Sequence, residues 1–289
     1  MESQGQNKAP ELLYHYTSVS ALYNMLVHLT SHIDEFNKTY ESCICFWATD
    51  YRCLNDPYEI NYLYQCLCDA LQDYENRNQL RSKSPFLKAT FQQWLLWKSP
   101  YVFSLSECID SLSLWRLYGD QGRGVAIALD RSELLKKLPS GPGWYAMKKI
   151  DYRTESEVRA MFDDATLQAL YQEIDPSQSP YCPIQTLSHN DLSLQACYLK
   201  TPAYRDEREW RISRERLNDH FQEVNFREKN GLIIPYIDID IPLSCVKQII
   251  IGPREDQKLC ASSIRKMLRK YAGYYQIDVL SSPLPYVYR

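Results

Sequence analysis

The sequence predicts an α+β fold, a mixed and mostly antiparallel sheet with helices packed on it. Strand-like and helix-like segments both recur along the chain, but without the regular βαβ alternation that marks a parallel sheet. No internal repeat with a period of about 20–50 residues appears, which excludes solenoids and propellers. The chain has 289 residues, 45% of them hydrophobic, so it can bury a substantial core without staples. Residues 1–11 are polar and read as a flexible tail. Residues 12–289 read as one α+β domain, with the Ser/Pro-rich stretch near 176–189 as its longest loop.

Each element follows from local pattern. LLYHYT (12–17) is a short strand, and Ser18 can cap a helix whose Val19, Leu22, Leu26 and Leu29 recur at helical spacing. CICFWAT (43–49) is a second strand. LNDP (54–57) turns into a helix with Ile60, Leu63, Leu67 and Leu71 on one face, and 84–98 is a further helix. YVFSLS (101–106) is a strand, 111–119 a short helix stopped by Gly119, and VAIALD (125–130) a buried strand after the QGRG turn. A brief helix (131–138) and a strand (144–152) precede helices at 155–174 and 189–200. Strands at 207–213, 231–239 and 246–252, a helix at 255–271 and a strand at 275–280 complete the domain.

Composition narrows the function classes. A net charge of −3 gives no global basic field to attract nucleic acid, although a local basic patch stays open. The chain has 10 cysteines and no CxxC pair. They read as reduced, buried and cytosolic, and their spacing to histidines suggests no zinc site. Residues 1–11 hold no apolar leader, and nothing approaches the roughly 18 apolar residues of a membrane span, so a cytoplasmic protein is expected. GxSxG, P-loop, GxGxxG and HExxH fingerprints are absent. The 23 tyrosines beside 9 glycines suit cleft walls and interfaces as well as cores.

The most informative stretch is YRDEREWRI (204–212). If 207–213 is a strand, alternation puts Arg208, Trp210 and Ile212 on one face and Glu207, Glu209, Arg211 and Ser213 on the other. Trp210 and Ile212 belong to a core. The charged face is either solvated or lines a cleft, where Glu209 would be a site carboxylate and Arg211 would orient it or an anionic ligand. The same parity puts Leu13, His15 and Thr17 together, and Ser104 with Ser106 opposite Phe103 and Leu105. LNDPYE offers Asn55, Asp56 and Glu59, with helix capping as its plain explanation. Trp115 and Tyr118, three apart on a helix, either pack in the core or hold a flat ring.

These stretches occur in an order that resembles the domain-of-unknown-function family 2971. The matching motifs are LYHYTSVSALYNML, LNDPYEI, FSLSECIDSLSLWRLYGDQGRGVAIALD, LKTPAYRDEREWRI and VKQIIIGPR, which span roughly 12–254. The chain departs from the family pattern at Arg116-Leu117, before Tyr118, and at Ala126, where Cys is common. More distantly, a first strand with His-Tyr-Thr and a late strand with Glu look like ADP-ribosyltransferase domains, nearest the DNA-targeting toxins. That resemblance implies an ADP-ribosyltransferase-like fold using NAD as substrate. His15, Tyr16 and Thr17 would bind the nucleotide with Asn55, Ser104 and Ser106. Trp115 or Tyr118 would wall the ring, Arg211 or Arg254 would pair the pyrophosphate, and Glu209 would be the catalytic acid. Glu207-Arg208-Glu209 has the spacing of a biglutamate motif. The acceptor would be nucleic acid, protein or water, in a bacterial toxin or phage-defence setting.

A non-catalytic ligand- or partner-binding module on the same scaffold is the rival. It predicts a closed Glu209–Arg211 ion pair with no cavity beside it. The enzyme predicts that both residues open to a hollow shared with His15. A nuclease is disfavoured by the lack of a DxD or ExK cluster.

Overall fold

The computed structural model describes residues 11–34, 39–54, 61–97, 100–138, 145–175, 177, 192, 195–214, 223–229, 231–273 and 275–285. Most of the tail and the whole LNDPYE cluster beyond Leu54, including Asn55, therefore lie outside the described residues.

The architecture is α+β, with a mostly antiparallel sheet. The strands in chain order are β1 (Leu12–Thr17), β2 (Thr30–Asp34), β3 (Thr39–Asp50), β4 (Tyr101–Ser106), β5 (Val125–Asp130), β6 (Ala146–Lys149), β7 (Asp151–Tyr152), β8 (Leu199–Lys200), β9 (Glu209–Arg214), β10 (Asn225–Lys229), β11 (Leu232–Pro242), β12 (Val246–Ile251) and β13 (Asp278–Ser281). The helices are α1 (Val19–Val27), α2 (Asn61–Arg77), α3 (Ser84–Trp97), α4 (Leu112–Leu117), α5 (Arg131–Lys137), α6 (Glu155–Arg159), α7 (Asp164–Glu173) and α8 (Gln257–Tyr271). The main sheet runs β10-β11-β3-β4-β1-β5-β12-β13, with β2 on β3, β9 on β4 and β6 on β9. β12 and β13 are parallel, and β7 pairs with β8 in a small parallel sheet.

Strand parity sorts the core. Leu13, Phe46, Phe103, Leu105, Ile127, Ile212, Ile239 and Ile249 face one way and bury Leu22 and Leu26 of α1, Leu134 of α5 and Ile264 and Leu268 of α8. On the other face of β1 and β5, Tyr14, Tyr16, Ala126 and Ala128 pack on Leu114 and Trp115 of α4. A third core joins α2, α3, α6 and α7 to Ile150 and Leu199. Ser18 caps α1 by accepting from the Ala21 amide at 3.0 Å, as its position predicts.

One topological feature builds the site. β9 occupies one whole edge of β4, pairing from Tyr101–Arg214 to Ser106–Glu209. The other edge of β4 is shared. Among the described residues β1 meets it at Tyr14–Ser106, and β3 meets it at Thr49–Val102 and Asp50–Tyr101. Between those contacts β1 and β3 fork apart, and the fork opens a hollow over the middle of β4.

Several expected elements differ. Glu207 ends a 3₁₀ turn (Pro202–Glu207), and Arg208 takes a left-handed conformation at φ 43°, so the strand starts at Glu209. The helix expected over 155–174 is two, because Asp163 caps a new start by accepting from the Thr166 amide. Leu199 and Lys200, expected at the end of a helix, are a strand. β2 and β10 were not expected. Both are short, and β10 is exposed along most of its length.

Candidate active site in the forked sheet

The hollow is a cleft of 570 Å³, within the roughly 300–1,000 Å³ range of small-molecule sites. β4 forms its floor with Ser104 and Ser106, β1 one wall with Tyr14 to Thr17, and Ala21 and Met25 of α1 show through the fork. Tyr118, Lys200, Tyr204, Glu207 and Glu209 form one end; Trp47, Thr49, Arg227 and Lys229 belong to the other.

Glu209 stands opposite Ser106 and Arg211 opposite Ser104 in the β4–β9 register. The Arg211 Nε donates to Glu209 Oε1 at 2.7 Å and its Nη2 to Oε2 at 3.1 Å. Lys200 donates to Glu209 Oε2 at 3.2 Å and to Glu207 Oε2 at 2.8 Å. Tyr118 donates its hydroxyl to Glu207 Oε1 at 2.9 Å. Burial alone would raise the Glu209 carboxyl. The charges of Arg211 and Lys200, with hydrogen bonds from Arg211 and Ser104, outweigh burial and hold it at about 2. The carboxylate is thus ionised, fixed, and a weak base.

His15 lies on the opposite sheet face from Glu209 by parity, beside Phe103 and Phe46, with ring centroids at 4.6 and 5.6 Å. It still borders the cleft, because the fork lets it through. Its Nδ1 lies 3.1 Å from the carbonyl of Ser104. That geometry makes Nδ1 the protonated donor and leaves Nε2 as an acceptor. Burial pushes the imidazole down to about 4; the Ser104 hydrogen bond opposes this and the charge of Arg227 adds to it. His15 is therefore neutral near pH 7.

The other expected residues divide. Thr17, Ser104, Ser106, Tyr16 and Tyr118 border the cleft. Two of them are engaged with backbone: Tyr16 donates to the Cys108 carbonyl at 2.8 Å, and Ser106 donates to the Glu207 carbonyl at 2.7 Å. Trp115 does not wall a ring. It is fully buried, edge-on to Tyr16 with centroids 4.8 Å apart, and its indole N–H donates to Asp110 at 2.5 Å. Arg254 does not reach the cleft; it pairs with Asp256 and donates to the Arg123 carbonyl at 2.8 Å. Arg211 lies behind Glu209 at 1% exposure, donating to the Cys197 carbonyl at 3.0 Å. It orients the carboxylate and is not itself in the cleft wall.

The sequence reading missed Lys200, Tyr204 and Arg227. Lys200, Tyr204, Glu207 and Glu209 all fall in LKTPAYRDEREWRI, so their spacing was available as a signal. Arg227 carried none, standing in a polar edge strand. Among the described residues, no cluster of three or more His, Cys, Asp or Glu could hold a metal, and no helix is long and apolar enough to cross a membrane.

Two solved structures are similar to the chain. Thermus sp. 2.9 DarT in complex with ADP-ribosylated ssDNA is 12% identical, covers 95% of both chains and has a TM-score of 0.34. The same protein in complex with NAD+ is 11% identical, covers 94% of this chain and 96% of its own, and has a TM-score of 0.33. No curated protein matches the chain. The motif order had pointed to family 2971, and residues 114–212 match that family's model, described as protein of unknown function (DUF2971).

Proposed function

We propose that the cleft takes NAD and breaks its nicotinamide–ribose bond, passing ADP-ribose to a nucleic acid or protein acceptor or to water. The observation that carries this reading is an ionised Glu209, pinned by two cations, bordering a 570 Å³ cleft together with a neutral His15. In the reaction the C–N bond breaks and its electron pair leaves with the nicotinamide nitrogen. The ribose carbon becomes oxocarbenium-like, and an acceptor oxygen or nitrogen bonds to it and gives up its proton to solvent. A fixed carboxylate stabilises the positive charge as it develops. With its carboxyl held at about 2, Glu209 acts by charge and position, not by taking the acceptor proton. His15 offers Nε2 to a ribose hydroxyl, Ser104 and Thr17 add hydroxyls, and Tyr118 offers a ring face. Arg211 and Lys200 position Glu209.

The test is incubation with NAD, with and without single-stranded DNA or protein acceptors, following nicotinamide release. Wild type releases nicotinamide, and Glu209→Gln lowers the rate by about 10²–10³-fold. No release from wild type with any acceptor would end this reading. One observation favours the rival binding module: Arg211, Lys200 and Ser104 already engage the Glu209 oxygens. That reading predicts NAD bound and intact, equally in wild type and Glu209→Gln.

A further inference from the structure

Strand parity puts Trp47 and Thr49 of β3, Tyr236 of β11 and Arg227 of β10 on one sheet face, the face that carries Ser104 and Glu209. The Arg227 guanidinium reaches back over the Trp47 ring, 5.0 Å from its centroid, and the Tyr236 ring at 5.6 Å. Its Nη2 donates to the Thr49 hydroxyl at 2.9 Å. Its Nε is buried without a hydrogen-bond partner. Among the described residues no carboxylate pairs with it, whereas Lys200, at the other end of the cleft, pairs with two and Arg211, behind Glu209, with one. Desolvation holds the Arg227 guanidinium below its ordinary value, which is what a half-buried cation without a counter-charge produces.

A guanidinium in a cleft wall with no carboxylate partner among the described residues is costly to desolvate; the two rings beneath it offset part of that cost, and an anion would offset the rest. Its planar fork of N–H donors suits phosphate oxygens. We infer that Arg227 is the phosphate anchor of the cleft, receiving the phosphates of a nucleoside diphosphate with Thr49 and Lys229 beside it. The strands of Thr49 and Glu209 flank β4, at the registers of Val102 and Ser106, so the two poles are offset by two strand spacings, about 10 Å, across the floor and by four residues, about 13 Å, along it. The cleft is therefore polarised: an anionic ligand group sits against β3 and β10, and a group that develops positive charge sits against Glu209. This rests on the NAD reading for the identity of the whole ligand; the phosphate site itself does not need it.

The test is calorimetric titration of wild type, Arg227→Gln and Arg227→Lys with ADP and with adenosine, and melting curves verify folding. Wild type binds ADP more tightly than adenosine. Arg227→Gln weakens ADP at least 10-fold and leaves adenosine unchanged, and Arg227→Lys, which keeps the charge without the planar fork, falls between. ADP binding that is absent from wild type, unchanged in Arg227→Gln, or lost in parallel with adenosine overturns the inference. Arg227-dependent ADP binding without nicotinamide release would leave the anchor standing and remove only the enzyme reading. Release with ADP binding indifferent to Arg227 would do the reverse.

Discussion

His15 makes a sharp residue-scale prediction, because its charge state ties the cleft to folding. Its imidazole titrates near 4 when folded and near 6.5 in an unfolded chain. Between those values the unfolded state binds the proton and the folded state does not. Stability is therefore full above about pH 6.5 and falls as the pH drops toward 4, by about 3 kcal/mol in all. Glu209 adds a second, lower window. Its stabilisation is present above about 4.5, the ordinary glutamate value, and is lost as the pH falls toward 2. Urea unfolding across pH 7 to 4 should show the first loss in wild type and a flatter profile in His15→Gln. Equal slopes would mean that the imidazole is not held neutral. Glu209 itself was legible because charged residues two apart beside Trp210 and Ile212 demanded a face. Arg227 was not, since an arginine in NFREK looks like any solvated edge-strand cation until Trp47 and Tyr236 are brought beneath it.

At the scale of elements, pattern located what local chemistry determines. The parity of β4 and β9 follows from alternation, and so do the capped start of α1 and the buried run of β5. What sequence left open depends on single backbone choices or distant partners. Arg208 turns left-handed and its carbonyl accepts from the Glu107 amide at 3.1 Å, so the charged run is half turn and half strand with no change in composition. The fork is a pairing property: β1 and β3 both lie far from β4 in sequence and meet it at its opposite ends. One glycine guards the fork's wall. At Gly124, the entry to β5, an added Cβ would lie 2.1 Å from the Thr17 carbonyl and 2.8 Å from that of Gly119. The Thr17 carbonyl cannot move without displacing the end of β1, and the Gly119 carbonyl is held by the Gly122 and Gly124 amides. Gly124→Ala should therefore destabilise by at least the 1–3 kcal/mol or so of ordinary overpacking, and weaken ligand binding through Thr17. A melting temperature within about 1 °C of wild type would show that β1 is not pinned there.

Across the whole molecule, Lys200 joins parts that pattern treats separately. It sits on β8, in the small sheet that packs with the helical core of α2, α3, α6 and α7. Its ammonium, on a residue only 4% exposed, reaches Glu207 and Glu209 at the end of the main sheet. One buried cation thus fastens the helical lobe to the carboxylate wall of the cleft. Removing it leaves Glu209 with Arg211 and the Ser104 hydroxyl, and Glu207 with the Tyr118 hydroxyl. Breaking a buried pair by deleting one partner costs about 3–5 kcal/mol, because the remaining charge stays desolvated. Lys200→Met should lose that much in urea unfolding and should also raise the Glu209 carboxyl, moving the acid transition upward. The partner change relieves part of the loss: with Glu209→Gln in place, removing Lys200 strands one fewer buried carboxylate. The double variant should then be more stable than the sum of the single losses predicts, by about 1–3 kcal/mol. Additivity within about 0.5 kcal/mol would mean that Lys200 joins the lobe to the cleft wall through Glu207 and packing, not through Glu209. In that case Glu209 would owe its ionisation to Arg211, its neighbour on the same strand.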